Sequence, residues 1–420
     1  MRVAMLSYHT CPLATLGGKD TGGMNVYVRD LTRQLGTVGL HVDVFTRSQD
    51  EHVPHVLHNL RYGNRVVHIP AGPEFPLSKE EMAGYLPDFV EGILDFAESK
   101  NLQYDLIHSH YWMSGIAARD LKAHWNVPIV HMFHTLGVMK QRVARTTGEE
   151  VEGEYRLNGE REVLQIADRI VAATPAELAQ LQWLYQSDIK KAVVIPPGVD
   201  LSRFYPIFMD EAKEFIGIPP CEQMLLFVGR IEPLKGLDTL IEAVALMRRQ
   251  GIFEDHPLCL CIIGGNPETS EAMMNAEMSR IHELRERYDL EDIVNFLGKV
   301  DQDALPYYYS AAEAVVMPSH YESFGMVALE AMACGTPVVA SQVGGLAFLV
   351  QDGETGYTVP TGEPEALAVR LAELIENPEL RQKLGDQAGR FARDYSWDII
   401  AGKIIKLYHE VIQQNHDQKH

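Results

Sequence analysis

The sequence predicts an α/β protein in which two doubly wound parallel-sheet domains face a central cleft. Short β-branched runs alternate with amphipathic helices along the chain, and this alternation is typical of right-handed strand–helix–strand units. The alternation breaks once, in the Pro-rich stretch after Ile195, because X-Pro residues are pushed out of the helical region. A chain of 420 residues with 46% hydrophobic content can build two large cores. We therefore place one domain on each side of the break.

The first domain is predicted to span residues 1–205. Its elements are one amphipathic stretch and six β-branched runs: the helix Met24–Val38 and the strands Val3–Leu6, His41–Thr46, Asp105–His108, Ile129–Phe133, Arg169–Ala173 and Ala192–Ile195. Because strands that alternate with helices pair in parallel, these runs predict one sheet with helices on both faces.

The second domain is predicted to span residues 206–398, with a hinge near residues 198–215. Its predicted elements are a helix after Leu237 and five short apolar strands: Met224–Val228, Leu258–Ile263, Val294–Leu297, Ala314–Met317 and Val338–Ala340. This pattern repeats the architecture of the first domain.

The end of the chain is predicted to return to the first domain. A helix at about residues 399–416 has an apolar face that can pack back there, and Ser396 is a candidate cap before it. The polar tail Gln413–His420 is expected to be disordered.

Composition and charge argue against several classes of function. The formal net charge is −21, which disfavours nucleic-acid or anionic-membrane binding over the whole surface, since both require basic faces. No apolar run reaches the ~18 residues that a membrane span needs. The start of the chain predicts a β-strand rather than a signal peptide, and five cysteines without a CxxC pair predict no disulfide framework. A reducing cytoplasm is the expected location.

Two carboxylates eight residues apart, Glu322 and Glu330, form the most informative motif. A helix is predicted to begin near Phe324, which places Glu322 before it and Glu330 roughly two turns inside it. Gly325 at the helix entrance lets unpaired amides face an anion such as a diphosphate. One carboxylate can then reach a sugar hydroxyl and the other a ribose diol. The alternative is a helix-entrance charge and a solvated helix residue, but the apolar neighbours of Glu330 require it to have a polar partner.

Two basic residues directly after a predicted strand form the second motif. Arg230 and Lys235 follow the strand Met224–Val228 and therefore lie at the edge of the sheet that faces the cleft. A guanidinium and an ammonium five residues apart can hold a diphosphate from two sides. A solvated basic turn is the alternative, because the run lacks the Gly-rich loop of nucleotide triphosphatases.

A glycine pair and two histidine clusters complete the candidates. The glycines at residues 22–23 open the first helix, where backbone amides can approach a phosphate or a sugar, although they can equally form a simple turn. The clusters His108–Trp112 and His131–Thr135 follow two parallel strands. They have neither HExxH spacing nor partner carboxylates, so we predict hydrogen bonding to hydroxyls and no metal site.

Taken together, these motifs resemble those of a known family. Residues Gly22–Val28, Gly229–Gly236 and Glu322–Pro337 look like the corresponding segments of retaining GT-B glycosyltransferases, in the group that includes sucrose synthases, and the similarity runs from Met1 to about Tyr408. The N-terminal half is most similar to inositol-phosphate glycosyltransferases, and sucrose-phosphate synthases are the next relatives. The resemblance implies the GT-B fold of two Rossmann-like domains around a cleft.

The resemblance also implies a role for individual residues. At the reacting centre, His134 would contact the donor sugar, Arg230 and Lys235 would hold the donor diphosphate, and Glu322 would bind the hydroxyls of the transferred sugar. The rest of the donor site would comprise two helix entrances and a ribose-binding carboxylate: Gly23, Phe324, Gly325, Met326, Val327 and Glu330. The acceptor site would comprise a phosphate-binding set and one residue at the acceptor ring: Lys79, Tyr111, Thr135 and Arg156, and Asn25. None of the phosphate-binding set stands out in the bare sequence.

The resulting hypothesis is a retaining transferase that moves glucose or N-acetylglucosamine from a UDP-sugar to a phosphorylated cyclic acceptor. One alternative is the sucrose-phosphate synthase reaction, with UDP-glucose and fructose 6-phosphate, and another is a non-catalytic sugar-nucleotide sensor. No cofactor is expected beyond the UDP-sugar co-substrate, and a divalent metal is not expected to be essential. The expected partners are small molecules and a second copy of the chain in a homodimer.

Overall fold

The structure is a computed structural model of the chain. It describes residues 1–15, 21–147, 153–217, 223–252, 257–265 and 276–417. Two of the expectations above concern residues outside these ranges. The five cysteines include Cys221, and the tail that was expected to be disordered includes residues 418–420.

The first sheet has eight strands in the order β3-β4-β2-β1-β5-β6-β7-β8, and its neighbours are parallel except for the antiparallel pair β3–β4. The strands are β1 Arg2–Leu6, β2 His41–Arg47, β3 Val56–Leu57, β4 Arg65–Ile69, β5 Leu106–His110, β6 Ile129–Met132, β7 Arg169–Ala172 and β8 Ala192–Val194. The helices around it are α1 Gly23–Thr37, α2 Lys79–Ala83, α3 Leu86–Ser99, α4 Trp112–Trp125, α5 Gly137–Thr147, α6 Glu154–Ile166 and α7 Pro175–Leu184. The central strands β5 and β6 are buried along their whole length, as expected for a sheet covered on both faces.

The second sheet has six parallel strands in the order β11-β10-β9-β12-β13-β14. The strands are β9 Gln223–Val228, β10 Leu258–Ile263, β11 Val294–Gly298, β12 Ala314–Met317, β13 Val338–Ser341 and β14 Gly356–Val359. The helices of this half are α8 Met209–Ile216, α9 Leu237–Arg249, α10 Ala276–Arg287, α11 Leu305–Ala311, α12 Met326–Ala333, α13 Leu346–Leu349, α14 Pro364–Glu376 and α15 Pro378–Ala392. The predicted architecture of two doubly wound parallel sheets is therefore confirmed. The short strands β3, β4 and β14 were not predicted.

The chain crosses between the two halves twice, and the two crossings lie side by side. The amide of Val199 donates to the carbonyl of Tyr395 at 2.8 Å, and the amide of Trp397 donates to the carbonyl of Val199 at 3.3 Å. Gly198 lies so close to Trp397 that an added Cβ would stand 2.6 Å from the indole ring. A larger residue at position 198 would separate the two crossings. The predicted boundary between residues 205 and 206 stays a prediction.

After the second crossing, the last helix, α16 Trp397–Asp417, lies against α1. The Trp397 ring meets the Tyr27 ring edge-on at 5.4 Å, and the hydroxyl of Tyr408 hydrogen-bonds Nδ1 of His108 at 2.6 Å. These aromatic contacts join the end of the chain to the core of the first sheet.

The expectation of a disordered tail was wrong for residues 413–417, which continue α16. Two polar side chains anchor this end. Arg169 donates a hydrogen bond to the side chain of Gln414, and Asn415 donates to the carbonyl of Asn126 at 3.3 Å. A polar composition therefore does not prevent order where each polar group has a partner.

Two further expectations need correction. The helix that carries Glu330 begins at Met326 rather than near Phe324, so Glu330 lies just over one turn inside it and not two. Cys259 is disulfide-bonded, whereas the sequence predicted no disulfide framework. Across the described ranges, no helix combines the length and apolar composition needed to cross a bilayer.

Candidate active site

A cavity of about 340 Å³ lies between the two sheets, at the carboxyl edges of their strands. From the first sheet it is lined by residues that follow β1, β5 and β6, and from the second by residues that follow β9 and β12. The sequence order of the strands reverses beside β1 in one sheet and beside β9 in the other. Open α/β sheets bind their ligands at such switch points, so both halves present a binding edge to one cavity.

This cavity gathers all but one of the predicted site residues. The first half contributes Gly23, Asn25, Lys79, Tyr111, His134 and Thr135, and the second half contributes Arg230, Lys235, Glu322, Phe324, Gly325, Met326, Val327 and Glu330. Arg156 does not line the cavity, because it lies behind Thr135.

The cavity is rich in positive charge, in contrast to the net charge of −21 for the whole chain. Among the described residues that line it, five are basic and two are acidic: Lys79, Lys140, Arg230, Lys235 and Lys299, against Glu322 and Glu330. The sequence analysis did not single out Lys140 or Lys299. A cleft with this charge balance favours ligands that carry phosphate groups.

Lys235 and Glu322 form an ion pair on the wall of the second half. The ammonium of Lys235 donates to Oε2 of Glu322 at 2.6 Å, and both side chains are mostly buried. Gly236 follows with φ 64°, and a Cβ there would stand 2.1 Å from the carbonyl oxygen of Pro318. Only glycine therefore lets the turn that carries Lys235 pack against the loop that carries Glu322.

Arg230 lies on the same wall and forms an ion pair with Glu232 at 2.8 Å. Both side chains are about one-third exposed, with 32% and 31% of their surface accessible. Such an exposed pair is weakly stabilising. An incoming diphosphate can therefore replace Glu232 as the partner of Arg230.

The entrance of α12 lies beside this ion pair. Gly325 has φ 106°, and a Cβ at that position would stand 2.7 Å from Leu346, so the tight entrance requires glycine. Met326 and Val327 open the helix and line the cavity. Amides in the first turn of a helix have no intrahelical acceptor and, together with the helix dipole, favour an anion.

Glu330 is buried, with 5% of its surface exposed, although it lines the cavity. Burial raises its pKa to about 7, and the hydrogen bond that it accepts from Tyr309 at 2.8 Å opposes this shift. The carboxyl group is therefore close to half-ionised at neutral pH. The polar partner that the sequence analysis required is Tyr309, which no motif had indicated.

Four residues that are far apart in the sequence meet on the opposite wall. The ammonium of Lys79 lies over the ring of Tyr111, 5.6 Å from the ring centroid. The guanidinium of Arg156 lies over the same ring at 5.0 Å. Arg156 Nη2 donates to the hydroxyl and to the carbonyl of Thr135, both at 3.0 Å. We call Lys79, Tyr111, Thr135 and Arg156 the acceptor cluster. Two cations, a hydroxyl and a phenol in this arrangement suit a phosphate group.

A buried carboxylate that the sequence analysis missed supports the acceptor cluster. Glu160 Oε1 accepts from Nε of Arg156 at 2.9 Å, and its two oxygens accept from the amide of Gly137 at 2.9 and 3.1 Å. Tyr185 also donates its hydroxyl to Glu160. The spacing of Arg156 and Glu160, four residues apart on α6, was the available signal, since i,i+4 charges share a helix face. Arg156 itself is buried, with 1% of its surface exposed.

His134 lies between the two walls and has an unusual backbone conformation, with φ 63°. Its Nε2 shares a hydrogen bond with Nδ1 of His110 at 2.9 Å. Burial, aided by the nearby charges of His108 and His9, lowers the pKa of His134 to about 3. The imidazole is therefore neutral at physiological pH and can exchange hydrogen bonds with a sugar without adding charge.

The entrance of α1 brings the two halves into contact. An added Cβ at Gly23 would stand 3.3 Å from the side chain of Met326, so the backbone of one half closely approaches the other. Asn25 is buried, and both amide protons are donated within the protein, to Thr10 Oγ1 and to the carbonyl of Cys11 at 2.7 Å each. Its Oδ1 accepts from the amide of Gly22 at 2.9 Å, so Asn25 holds the loop on both sides of the entrance of α1.

No three His, Cys, Asp or Glu side chains within the described ranges are arranged to hold a metal ion. The histidines that follow β5 and β6 instead contact one another: the rings of His108 and His110 lie 4.2 Å apart, and those of His110 and His134 lie 5.1 Å apart.

The chain matches two family models and has long, similar relatives. Residues 21–203 match Glycosyltransferase Family 4, and residues 208–391 match Glycosyl transferases group 1. The D-inositol 3-phosphate glycosyltransferase 2 of Catenulispora acidiphila is 41% identical over 413 residues, which cover 98% of this chain and 95% of the relative. The D-inositol 3-phosphate glycosyltransferase of Kineococcus radiotolerans is 41% identical over 423 residues, which cover 98% of this chain and 96% of the relative.

Solved structures show the same architecture. The sucrose-phosphate synthase of Thermosynechococcus elongatus has a TM-score of 0.88 and 36% identity, covering 98% of this chain and 99% of the other. HepE of Anabaena, solved in complex with UDP and glucose, has a TM-score of 0.75 and 19% identity over 98% of this chain and 100% of the other, a likeness that concerns the fold alone.

The two facing sheets and the cleft between them define a GT-B glycosyltransferase fold. The chain belongs to the group 1 glycosyltransferases, and it is an enzyme. The resemblance inferred from the sequence motifs is thereby confirmed.

Proposed function

We propose that this glycosyltransferase moves a hexose from a UDP-sugar to a phosphorylated cyclic acceptor, with retention of the anomeric configuration. One observation carries the proposal: a single cavity has the Lys235–Glu322 ion pair on one wall and the acceptor cluster on the other. The first wall suits a sugar diphosphate and the second suits a phosphate. The relatives named D-inositol 3-phosphate glycosyltransferase support the acceptor class.

The donor would bind to the second half. Arg230, Lys235 and the first amides of α12 would hold the diphosphate, while Glu330 would accept hydrogen bonds from the ribose diol. Glu322 would bind hydroxyls of the transferred sugar. The HepE structures, which are similar to this chain in fold alone, hold UDP or UDP-glucose. They support UDP as the nucleotide of the donor.

The chemistry needs charge stabilisation more than a protein nucleophile. As the glycosidic bond to the diphosphate breaks, negative charge grows on the leaving oxygen, and fixed cations aimed at that oxygen stabilise the transition state. The acceptor hydroxyl would attack from the same face and pass its proton to the departing diphosphate. Neutral His134 would hydrogen-bond the sugar near the reacting carbon. Glu322 and Glu330 are then binding groups, not the paired carboxylates of a glycoside hydrolase.

The runner-up is the sucrose-phosphate synthase reaction, from UDP-glucose to fructose 6-phosphate. The sucrose-phosphate synthase structure favours it, with a TM-score of 0.88 at 36% identity. The acceptor cluster contacts only a phosphate in either reaction, so it does not separate the two acceptors. A non-catalytic sugar-nucleotide sensor is the less favoured alternative, because the charged residues for transfer are all present.

An acceptor panel tests the proposal. The protein would be incubated with UDP-glucose or UDP-N-acetylglucosamine and with inositol 3-phosphate, fructose 6-phosphate, or the unphosphorylated forms. UDP release would be measured together with the mass and the anomeric configuration of the product. A retained glycoside of inositol 3-phosphate supports the proposal, whereas sucrose 6-phosphate assigns the runner-up. UDP release without any glycoside, or no turnover on the whole panel, contradicts both.

A further inference from the structure

A second cavity lies behind the active site, where the chain crosses between the two halves. Its volume is about 510 Å³, within the roughly 300–1,000 Å³ typical of small-molecule sites. We call it the hinge pocket and define it by six of its lining residues: Arg33, Arg61, Arg203, Asp303, Tyr307 and Trp397. No residue of the proposed donor or acceptor site lines it.

Three arginines from separate parts of the fold meet in the hinge pocket. Arg33 lies on α1, Arg61 in the turn before β4, and Arg203 in the first crossing segment. All three line one cavity. Burial lowers the pKa of Arg33, and the charges of Arg29, Arg203 and Arg61 lower it further, while Asp30 raises it. Among the described residues, three aspartates line the same pocket, so three basic side chains face three acidic ones: Asp30, Asp200 and Asp303.

Each of the three described carboxylates that line the hinge pocket already has a partner. Asp303 forms an ion pair with Arg203 at 2.9 Å, although the side chain of Asp303 is 80% exposed. Asp30 accepts two hydrogen bonds from Arg29, at 2.7 and 3.0 Å, and reaches Arg33 only at 3.7 Å. Asp200 accepts from the amide and the hydroxyl of Ser202, at 3.0 and 2.6 Å. The positive charge of Arg33 is therefore only partly met by the protein.

Arg33 and Arg61 also leave polar groups without a partner. Nε of Arg33 is buried and forms no hydrogen bond. Among the described hydrogen bonds and ion pairs, none involves the guanidinium of Arg61. Arg61 and Tyr62 both have positive φ, 64° and 52°, although neither is glycine. This conformation is costly for residues other than glycine and persists only where the surrounding structure holds it.

The hinge pocket shares a wall with the active site. Gln302 and Leu305 line the active-site cavity, while Asp303 and Tyr307, in the same segment, line the hinge pocket. Tyr309 lies farther along the same helix, α11, and donates its hydroxyl to Glu330 at 2.8 Å. A ligand that moves the start of α11 would therefore move Tyr309 and, through its hydrogen bond, act on Glu330, which is assigned above to the donor ribose.

A second connection passes through aromatic rings. Trp397 lines the hinge pocket and packs edge-on against Tyr27, which lines the active-site cavity and in turn contacts the ring of His134 at 5.1 Å. The first connection therefore runs along α11, and the second runs through packed aromatic rings.

We propose that the hinge pocket binds a small phosphate-bearing anion and that its occupancy changes the affinity of the active site for the sugar-nucleotide donor. The anion would accept hydrogen bonds from Arg33 and Arg61 in the first half. It would also accept from Arg203 between the halves, where it would replace the exposed partner Asp303. Because the ligand touches both halves, it favours one relative orientation of them. The coupling is reciprocal, so bound donor must change the affinity for the anion by the same factor.

Calorimetric titration of the full chain with inorganic phosphate tests the site, with UDP present at saturation to fill the donor region. Arg61→Gln is the informative variant, because Arg61 is exposed and its loss does not threaten folding. Arg249→Gln is the matched control, since Arg249 is an exposed arginine on α9 outside the hinge pocket. Lys79→Gln removes a cation from the acceptor cluster and thereby reports phosphate bound there.

The expected result is that Arg61→Gln weakens one class of phosphate binding by about tenfold or more, the effect of losing a charge-assisted hydrogen bond. Arg249→Gln should bind phosphate as the parent protein does. Lys79→Gln should keep the phosphate binding that Arg61→Gln weakens. Unchanged phosphate binding in Arg61→Gln overturns the proposal. Loss of all phosphate binding in Lys79→Gln assigns the anion to the active site and also overturns it.

The coupling is tested by the dissociation constant of UDP-glucose at constant ionic strength, with and without phosphate or glycerol 3-phosphate. In the Lys79→Gln background, either anion should shift this constant about threefold or more, and the added Arg61→Gln change should abolish the shift. The anion that acts at the lower concentration shows whether free phosphate or a phosphate monoester is the natural ligand. An equal shift in both proteins, or no shift, overturns the coupling. Arg61→Gln should keep its basal turnover, so failure here leaves the acceptor panel unaffected.

Discussion

The ammonium of Lys235 lies 2.6 Å from Oε2 of Glu322, although the two residues are 87 positions apart in the chain. Each holds the other in the cavity before any ligand binds. A donor whose diphosphate meets Lys235 and whose sugar meets Glu322 would bind across this pair, so the pair aligns two substrate groups that must separate during transfer. This arrangement leads to the first prediction.

Changing Lys235 to Ala should lower turnover by about a hundredfold or more, because one preorganised cation at the leaving diphosphate is lost. The measurement is kcat with UDP-glucose and the acceptor identified by the panel, alongside circular dichroism to check the fold. Lys403→Ala, at an exposed position on α16, is the matched control and should not change turnover. Parent-like kcat in a folded Lys235→Ala protein would refute the assigned role.

The affinity for UDP-glucose should rise with pH through neutrality. Burial raises the pKa of Glu330 to about 7. In the proposed binding mode the ribose diol would donate to the ionised carboxylate, so ionisation would favour binding. If only the ionised form binds, the dissociation constant should fall about tenfold between pH 6 and pH 8, as expected for one group with this pKa. UDP-glucose is suited to this test because its diphosphate does not titrate in this range.

The Glu330→Gln variant provides the control for this pH dependence, because an amide cannot ionise. Its affinity for UDP-glucose should be the same at pH 6 and pH 8. The raised pKa also affects the unliganded protein. Since the folded state holds this proton more tightly than the unfolded chain, the contribution of Glu330 to stability should decrease as pH rises from the usual value of 4.5 to about 7. A flat binding profile in the parent protein would be evidence against the ribose assignment.

Changing Arg156 to Ala should raise the Michaelis constant of the acceptor at least tenfold and leave the dissociation constant of the donor nearly unchanged. Arg156 does not line the cavity, but it donates to Thr135 and lies on the ring of Tyr111, so its loss would displace groups that face one substrate only. The effect should disappear with an unphosphorylated acceptor. Equal catalytic efficiency of the parent protein with free and phosphorylated acceptors would eliminate the phosphate pocket.

Changing Glu160 to Gln should have two effects, because Glu160 holds both Arg156 and the amide of Gly137. Leaving the buried guanidinium without its counter-charge should lower the free energy of unfolding by ~3–5 kcal/mol. The Michaelis constant of the acceptor should rise while kcat changes little. Glu162→Gln on the same helix is the matched control, since its partner Arg119 is exposed and both effects should be small. A variant as stable as the parent would contradict the role of Glu160.

Activity should persist in excess chelator. The five basic residues that line the cavity, together with the first amides of α12, can meet the charge of a diphosphate. The measurement is turnover after dialysis against EDTA, compared with turnover after magnesium is added back. Complete loss of activity that magnesium restores would show that the donor binds as a metal complex.

The sequence predicted the parts of the fold and the site that depend on local pattern. Residues that directly follow a parallel strand lie at its carboxyl edge, which is why Arg230 and Lys235 could be placed in the cleft before the structure was known. In the same way, Gly325 before an apolar helix marked a tight helix entrance, and its φ of 106° agrees.

What the sequence did not show depends on long-range contacts. Lys79 and Arg156 are 77 positions apart and both lie over the ring of Tyr111, an arrangement for which the sequence carries no period or spacing. Tyr309 was missed for the same reason, because it reaches Glu330 from a different helix. The polar end of α16 was misjudged because its order comes from Arg169 and Asn126, which lie in other elements.

The side-by-side crossings at Val199 and Trp397 make the second sheet an insertion within the first half of the molecule. Both ends of the inserted unit leave from neighbouring points, and the returning helix α16 completes the core around Tyr27 and His108. The whole unit can therefore be exchanged with that of a related enzyme by joining the chains at only two adjacent positions. If the donor and the acceptor bind as proposed, the preferences for the two substrates can in this way be recombined as separate modules, provided that Gly198 and Trp397 are kept together.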